Sequence, residues 1–149
     1  MTNTYDDFVE LMGLISQADG EPRIGGRMFG LLLVEGRALT LNDFAERLEI
    51  SKASASTNAR RLASIGVIEH IKSSHRQDSY ALVPDLYRQM SLTMTERFLV
   101  RAEQIENMVS LLPDDGPSKV KQRIHGLAQC YRVSAETARQ IFDQLPEMD

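Results

Sequence analysis

The chain has 149 residues, enough for a single domain, 1–149, with a sizeable core and helical extensions. Its net charge is mildly acidic, −4, and its one cysteine, Cys130, excludes an intrachain disulfide framework or a multi-cysteine metal site. No secretory apolar region or bilayer-length apolar run is readable, so no membrane contact and a cytoplasmic location are expected.

The first predicted helix is Tyr5 to Ser16, with Phe8, Val9, Leu11, Met12 and Ile15 apolar. It is too short and too apolar to stand alone, so it must pack on something. Gly20-Glu21-Pro22 breaks the pattern, and Pro22 suits the first position of the next helix. That helix, Arg23 to Glu35, has Ile24, Met28, Leu31 and Leu32 as its buried stripe and Gly36 as its C-cap. Gly25, Gly26 and Gly30 each cost about 1 kcal/mol against Ala in a helix interior, which favours close helix packing over close approach of a ligand or DNA backbone. Arg23 and Arg27, one turn apart, have two readings: phosphate contact, or pairing with acidic residues of another helix.

Leu41 to Leu82 organises the rest. Leu41, Phe44, Ala45 and Leu48 follow the spacing of a helix with one buried face. Thr40 and Asp43 form a helix-start signal. Ser51 is a plausible N-cap for a second helix, Lys52 to Ile65. Ala55, Ala59, Leu62 and Ile65 fall on one side of it. Ala53, Thr57, Arg60 and Ser64 fall opposite, flanked by Ser54, Ser56 and Arg61. No acidic residue occurs from Ser51 to Ile68. Small residues admit a groove closely, hydroxyls bond phosphates or base edges, and Arg reads guanine or holds phosphate. Asn58 points to the core flank, half-buried and bonded to the preceding turn. Gly66 ends the helix, and Val67 and Ile68 start a strand. Ile71-Lys72 and Tyr80-Ala81-Leu82 flank a polar tip from Ser73 to Ser79, with Arg76 as its inserted cation.

After this stretch, Pro84 opens a long helix to about Leu112. Its stripe is Tyr87, Met90, Met94, Phe98, Ala102, Ile105, Val109 and Leu112. Pro113 to Ser118 is a loop, in which Asp114 and Asp115 are expected to be solvated. A last helix, Lys119 to Leu145, carries Val120, Ile124, Leu127, Tyr131, Ala135, Ala138, Ile141 and Phe142. Two long amphipathic helices beside a small domain point to a helical dimerisation layer.

The fold class is therefore mainly α, an α+β winged helix. A winged helix-turn-helix core spans 20–83, and 1–19 and 84–149 form the helical dimerisation region. Ser51 to Gln77 holds five basic residues against Glu69 alone, net +4, so the remainder of the chain carries −8. A basic patch on an acidic body suits a sequence-specific binder. The candidate DNA contacts are Ser51, Lys52, Ala53, Ser54, Ser56, Thr57, Arg60, Arg61, Lys72, His75 and Arg76. The alternative is a winged-helix protein-interaction module without DNA binding, which would prefer exposed apolar anchors on the same helix. No nucleophile–base pair, phosphate loop or metal cluster is readable, so neither an enzyme nor a cofactor is expected. Cys130 is expected to be a buried structural thiol rather than a redox sensor. His70, His75 and His125 show no metal spacing. Tyr5, Phe8, Phe29, Tyr87, Phe98 and Tyr131 are expected in the core rather than in a cage for a cationic ligand.

Three runs of residues carry a family resemblance. They are Pro22-Arg23-Ile24-x-Gly26-Arg27-x-x-Gly30-x-Leu32-Leu33, then Leu41-x-x-x-Ala45-x-x-Leu48-x-Ile50-Ser51-Lys52-Ala53-Ser54-Ala55-Ser56-Thr57, then Leu62-x-x-Ile65-Gly66-Val67-Ile68. The pattern resembles the MarR superfamily of winged-helix transcriptional regulators, and within it the GbsR-like branch. It covers roughly Asp19 to Tyr87. The resemblance implies a homodimeric, ligand-responsive repressor on a pseudo-palindromic double-stranded operator, with a small-molecule effector and osmoprotectant uptake or synthesis genes as targets. By position it places Ser51, Lys52, Ser54, Ser56, Thr57 and Arg60 on the recognition helix and Arg76 at the wing tip. The family's wing Asp is replaced here by His75, so Asp78 is the candidate to orient Arg76.

Overall fold

The computed structural model describes residues 3–114, 116, 117 and 119–148. Met1, Thr2, Asp115, Ser118 and Asp149 lie outside the described residues, so the expected solvation of Asp115 falls outside them too. Two compact units divide between Leu86 and Tyr87. The architecture is an α+β winged helix, with six α-helices and a three-stranded antiparallel sheet among the described residues.

In the first unit, α1 (Thr4–Ala18) is capped by Asn3, whose side-chain oxygen accepts the Tyr5 N–H at 3.3 Å. It ends where Gly20 turns left-handed at φ 79°, and the Glu21 N–H bonds back to the Ser16 carbonyl at 2.9 Å. Pro22 does not open the next helix as expected. Its ψ of 130° keeps it extended, one residue before α2 (Arg23–Glu35).

α2 is the central helix. A Cβ at Gly26 would stand 2.3 Å from the Met12 carbonyl oxygen, and one at Gly30 would stand 3.0 Å from Met12 Cβ. These glycines therefore serve close helix packing, because any side chain there would push α1 away. Arg23 and Arg27 reach across the same contact to Glu10, at 2.9 and 2.7 Å. Of their two expected roles, the pairing with another helix is the one present. Partial burial pushes the Glu10 carboxyl up, but the two guanidinium hydrogen bonds outweigh it and hold it below its ordinary value. Arg27 also donates to the Leu48 carbonyl at 3.2 Å, at the end of α3 (Leu41–Leu48).

α3 begins with a complete capping box. Thr40 Oγ1 accepts the Asp43 N–H at 3.1 Å, and the Asp43 carboxylate accepts the Thr40 N–H at 2.9 Å. Glu49 turns left-handed, φ 53°, and leads into α4 (Lys52–Ser64), which stops one residue short of the expected Ile65. Gly66, at φ 81°, then sends the chain into β2 (Ile68–Ile71) and back through β3 (Ser79–Leu82). A third strand, β1 (Leu39–Thr40), pairs with β3, giving the order β1-β3-β2. The expected wing had two strands. A two-residue strand shows no alternation, so its sequence carries no period to read. Met28, Leu32, Leu39, Phe44 and Leu86 are fully buried, each contributing about 1.5–3 kcal/mol by burial.

The second unit holds most of α5 (Leu86–Leu111) and all of α6 (Val120–Gln140). α5 starts two residues after Pro84. α6 gives way to a short 3-10 turn, Phe142–Gln144, instead of running to Leu145. Ala102, Ala128 and Ala135 are fully buried, and the Phe98 and Tyr131 rings lie 5.6 Å apart. Arg132 grips Glu106 with two hydrogen bonds of 2.6 and 2.5 Å, which hold that carboxyl below its ordinary value. Cys130 is exposed, against the expected buried thiol. It stands two residues from Ala128, about 200° round the helix, and so turns away from the buried alanine row. Tyr5, expected in the core, is exposed as well. Among the described residues no helix is long and apolar enough to cross a membrane.

We predict that Gly26→Ala lowers stability by about 1–3 kcal/mol, because the added methyl meets backbone and not a movable side-chain tip. Urea unfolding measures this, and an unchanged midpoint would place α1 farther from α2 than the structure has it.

Candidate nucleic-acid interface

The helix-turn-helix is α3, the turn at Glu49–Ser51, and α4. Ser51 starts α4 by accepting the Ser54 N–H on its hydroxyl at 3.0 Å. Ala55 and Ala59 are fully buried and Leu62 nearly so, and this row faces the core. Alanines there bring the helix axis close to its neighbours. Asn58 is more buried than expected, at 7% exposure. Its Nδ2 donates to the Ser54 carbonyl at 2.9 Å, one turn back. Its Oδ1 is the one buried side-chain polar atom among the described residues without a partner. That oxygen packs on α2, where a Cβ on Gly25 would be 3.2 Å away.

The opposite face of α4 is open. Lys52, Ala53, Thr57, Arg60 and Ser64 are exposed, and Ser54 and Ser56 are half-buried beside them. The Ser51 hydroxyl is also exposed and bonds Ser54 Oγ at 2.9 Å. Arg60 makes one long bond, 3.4 Å, to the Ser56 carbonyl in its own helix. Lys52, Arg60 and Arg76 make no ion pair among the described residues. Arg61 is different: Glu21, in the turn between α1 and α2, takes both its Nε, at 2.8 Å, and its Nη2. Sequence reasoning missed Glu21, because a contact across forty positions leaves no local signal.

The wing is built by its register. His70 of β2 lies directly opposite Tyr80 of β3, so their rings stack at 4.8 Å and 14°. His70 Nε2 then lies 2.8 Å from the Asp78 carboxylate, whose second oxygen accepts the Ser73 N–H at 3.1 Å. The Ser73 N–H first, and the His70 ring second, hold the Asp78 carboxyl below its ordinary value, with Lys72 adding a smaller attraction. Asp78 thus ties the base of the tip. Its hydrogen bonds go to His70 and Ser73 and not to Arg76, which it was expected to orient. Arg76 is placed through its backbone, its N–H donating to Ser73 Oγ at 3.0 Å. Lys72, His75 and Arg76 are all exposed. Asn42, in the first turn of α3, donates to Gln77 at 3.0 Å and fixes the tip to the helix-turn-helix. This second tie was also missed from sequence. The structure therefore brings the candidate residues of α4 and the wing into one unit.

Among solved structures, the chain is similar to a crystal structure described as that of a transcriptional regulator. The TM-score is 0.84 at 22% identity, over 95% of this chain and 97% of that one. At that identity the likeness speaks to the fold alone. A second structure is MepR, a transcription regulator of the Staphylococcus aureus multidrug efflux pump MepA. It covers 95% of this chain and 91% of its own at 15% identity, with a TM-score of 0.42, too distant to carry an argument. No protein-family model and no curated protein matches the chain.

The Asp78 contacts generate a pH prediction. A carboxyl held low when folded adds order that is complete above its unfolded value, about 4, and is lost as the pH falls through the folded value. The Ser73 amide and His70 ring resonances should therefore shift together below about pH 4, and Asp78→Asn should abolish that shared step. A Ser73 amide that titrates unchanged in Asp78→Asn would break the assignment.

Proposed function

We propose that this chain is a dimeric, sequence-specific DNA-binding transcriptional regulator of the MarR superfamily. The single observation that carries the reading is the exposed face of α4. It is small, hydroxylic and basic, it has no carboxylate, and it is set on a buried alanine row within a winged helix. Such a face can enter a major groove, with Thr57 and Arg60 at its centre, while the wing lays Lys72, His75 and Arg76 along the backbone. The competing protein-interaction reading needs apolar anchors. The one large apolar side chain of α4 is Leu62, and it is buried.

Assembly as a homodimer draws support from apolar side chains left exposed in the second unit. Met94, Met108, Leu127 and Val133 are each more than half exposed. A second copy covering such residues would also double the recognition helix, for half-sites about 34 Å apart. Sedimentation at the mass of one chain would remove this part of the proposal. Repression, response to a small-molecule effector, and osmoprotectant genes of the GbsR-like kind rest on the family resemblance. They are tested once an operator is in hand.

Arg60→Ala is expected to cost about 1–3 kcal/mol of binding and to relax preference at one base position, if its guanidinium reads a base. Contact with phosphate alone would instead weaken all duplexes alike and shrink the salt slope by about one. Titration of preferred and unrelated duplexes at several salt concentrations separates these. Unchanged binding to every duplex would remove Arg60 from the interface.

A further inference from the structure

Arg60 and Arg61 are neighbours in sequence, yet only Arg61 is held by a carboxylate. The chain has arranged that carboxylate with care. Gly20 adopts a left-handed turn at the end of α1, and the Glu21 N–H is locked to the Ser16 carbonyl at 2.9 Å. The fixed backbone aims Glu21 at α4, where its one oxygen Oε2 takes both Nε and Nη2 of Arg61. Glu21 is the more shielded partner, its side chain 29% exposed against 51% for Arg61. Arg61 lies one turn beyond Thr57 and beside Ser64, at the edge of the outward face.

We propose that Glu21 is a specificity-determining residue that holds Arg61 away from phosphate. The inference rests on the DNA-binding reading above. Non-specific binding is driven by counterion release, and each arginine free to neutralise a phosphate strengthens the hold on any sequence. The pair withdraws one such charge from the recognition helix and sets a carboxylate at its edge. Binding to unrelated DNA falls, while base contacts from Thr57 and Arg60 are untouched. The device trades affinity for discrimination, which is useful where non-specific sites vastly outnumber operators. Glu21 acts through Arg61, so it is a positioning residue, and the salt slope reports it where a purely structural ion pair would leave that slope unmoved.

The test uses the full chain and a mixed-sequence duplex, with affinity measured across a salt series. Glu21→Gln should bind this duplex about five-fold tighter near 0.15 M salt, with a slope steeper by about 0.9, as one further phosphate contact requires. The double variant Glu21→Gln with Arg61→Ala removes the pair without changing net charge and should return both affinity and slope to those of the unaltered chain. It also serves if the single variant fails to fold. A double variant that binds more weakly with a shallower slope would show that Arg61 already holds phosphate, and would overturn the proposal. So would Glu21→Gln with unchanged affinity and slope, while Arg60→Ala still weakens binding. If the unaltered chain shows no salt-dependent duplex binding at all, the DNA-binding reading falls, and the role of Glu21 falls with it.

Discussion

The close approach of α1 to α2 at Gly26 is the constraint on which the first unit depends. With no side chain at Gly26 or Gly30, the backbone of α1 at Met12 rests on α2. That contact brings Glu10 within reach of Arg23 and Arg27, and Arg27 carries on to the Leu48 carbonyl at the end of α3. On a second face of α2, Gly25 admits the Asn58 side chain of α4. One helix thus sets the position of both members of the helix-turn-helix. The Arg27 guanidinium ties α2 to the end of α3, and the buried Asn58 amide packs the middle of α4 on α2.

Charge is distributed by the same packing. Glu10 takes Arg23 and Arg27, Glu21 takes Arg61, and Glu35 takes Arg47. Lys52, Arg60 and Arg76, none of them in an ion pair among the described residues, stand at the start of α4, on its outer face and at the wing tip. The chain is acidic overall, so these local cations are where the proposed contact with a polyanion would be made. Asp78 belongs to the wing's internal order. It knots the base of the tip, and Asn42 ties the tip to α3, so the exposed cations of the wing ride on a fixed hairpin.

Periodicity made much of this legible from sequence. The limits of α2, the capping box at Thr40 and Asp43, the N-cap at Ser51 and the two faces of α4 all follow from local spacing and local hydrogen bonding. β1 did not, because two residues cannot display a period. Cys130 was misplaced because exposure depends on which way a helix is turned: Ala135 lay in the expected stripe and is buried, but so is Ala128, outside that stripe, while Leu127 within it is exposed. The contacts Glu21–Arg61, Asn42–Gln77 and His70–Asp78 join residues through turns and strand register. Such contacts leave no local signal, and the expectation that Asp78 orients Arg76, taken from the family's wing pattern, fails because the hairpin gives Asp78 the Ser73 N–H and the His70 ring instead.

The central claim is that α4 and the wing read DNA sequence as a symmetric pair. The most direct measurement is selection of bound duplexes from a random pool at about physiological salt, where the phosphate contribution does not swamp base readout. The account predicts an enriched two-fold symmetric motif, with half-sites about one helical turn apart. A pool that stays random, both for the purified chain and for chain unfolded and refolded to strip any bound ligand, would contradict it and favour a protein as the partner of this face.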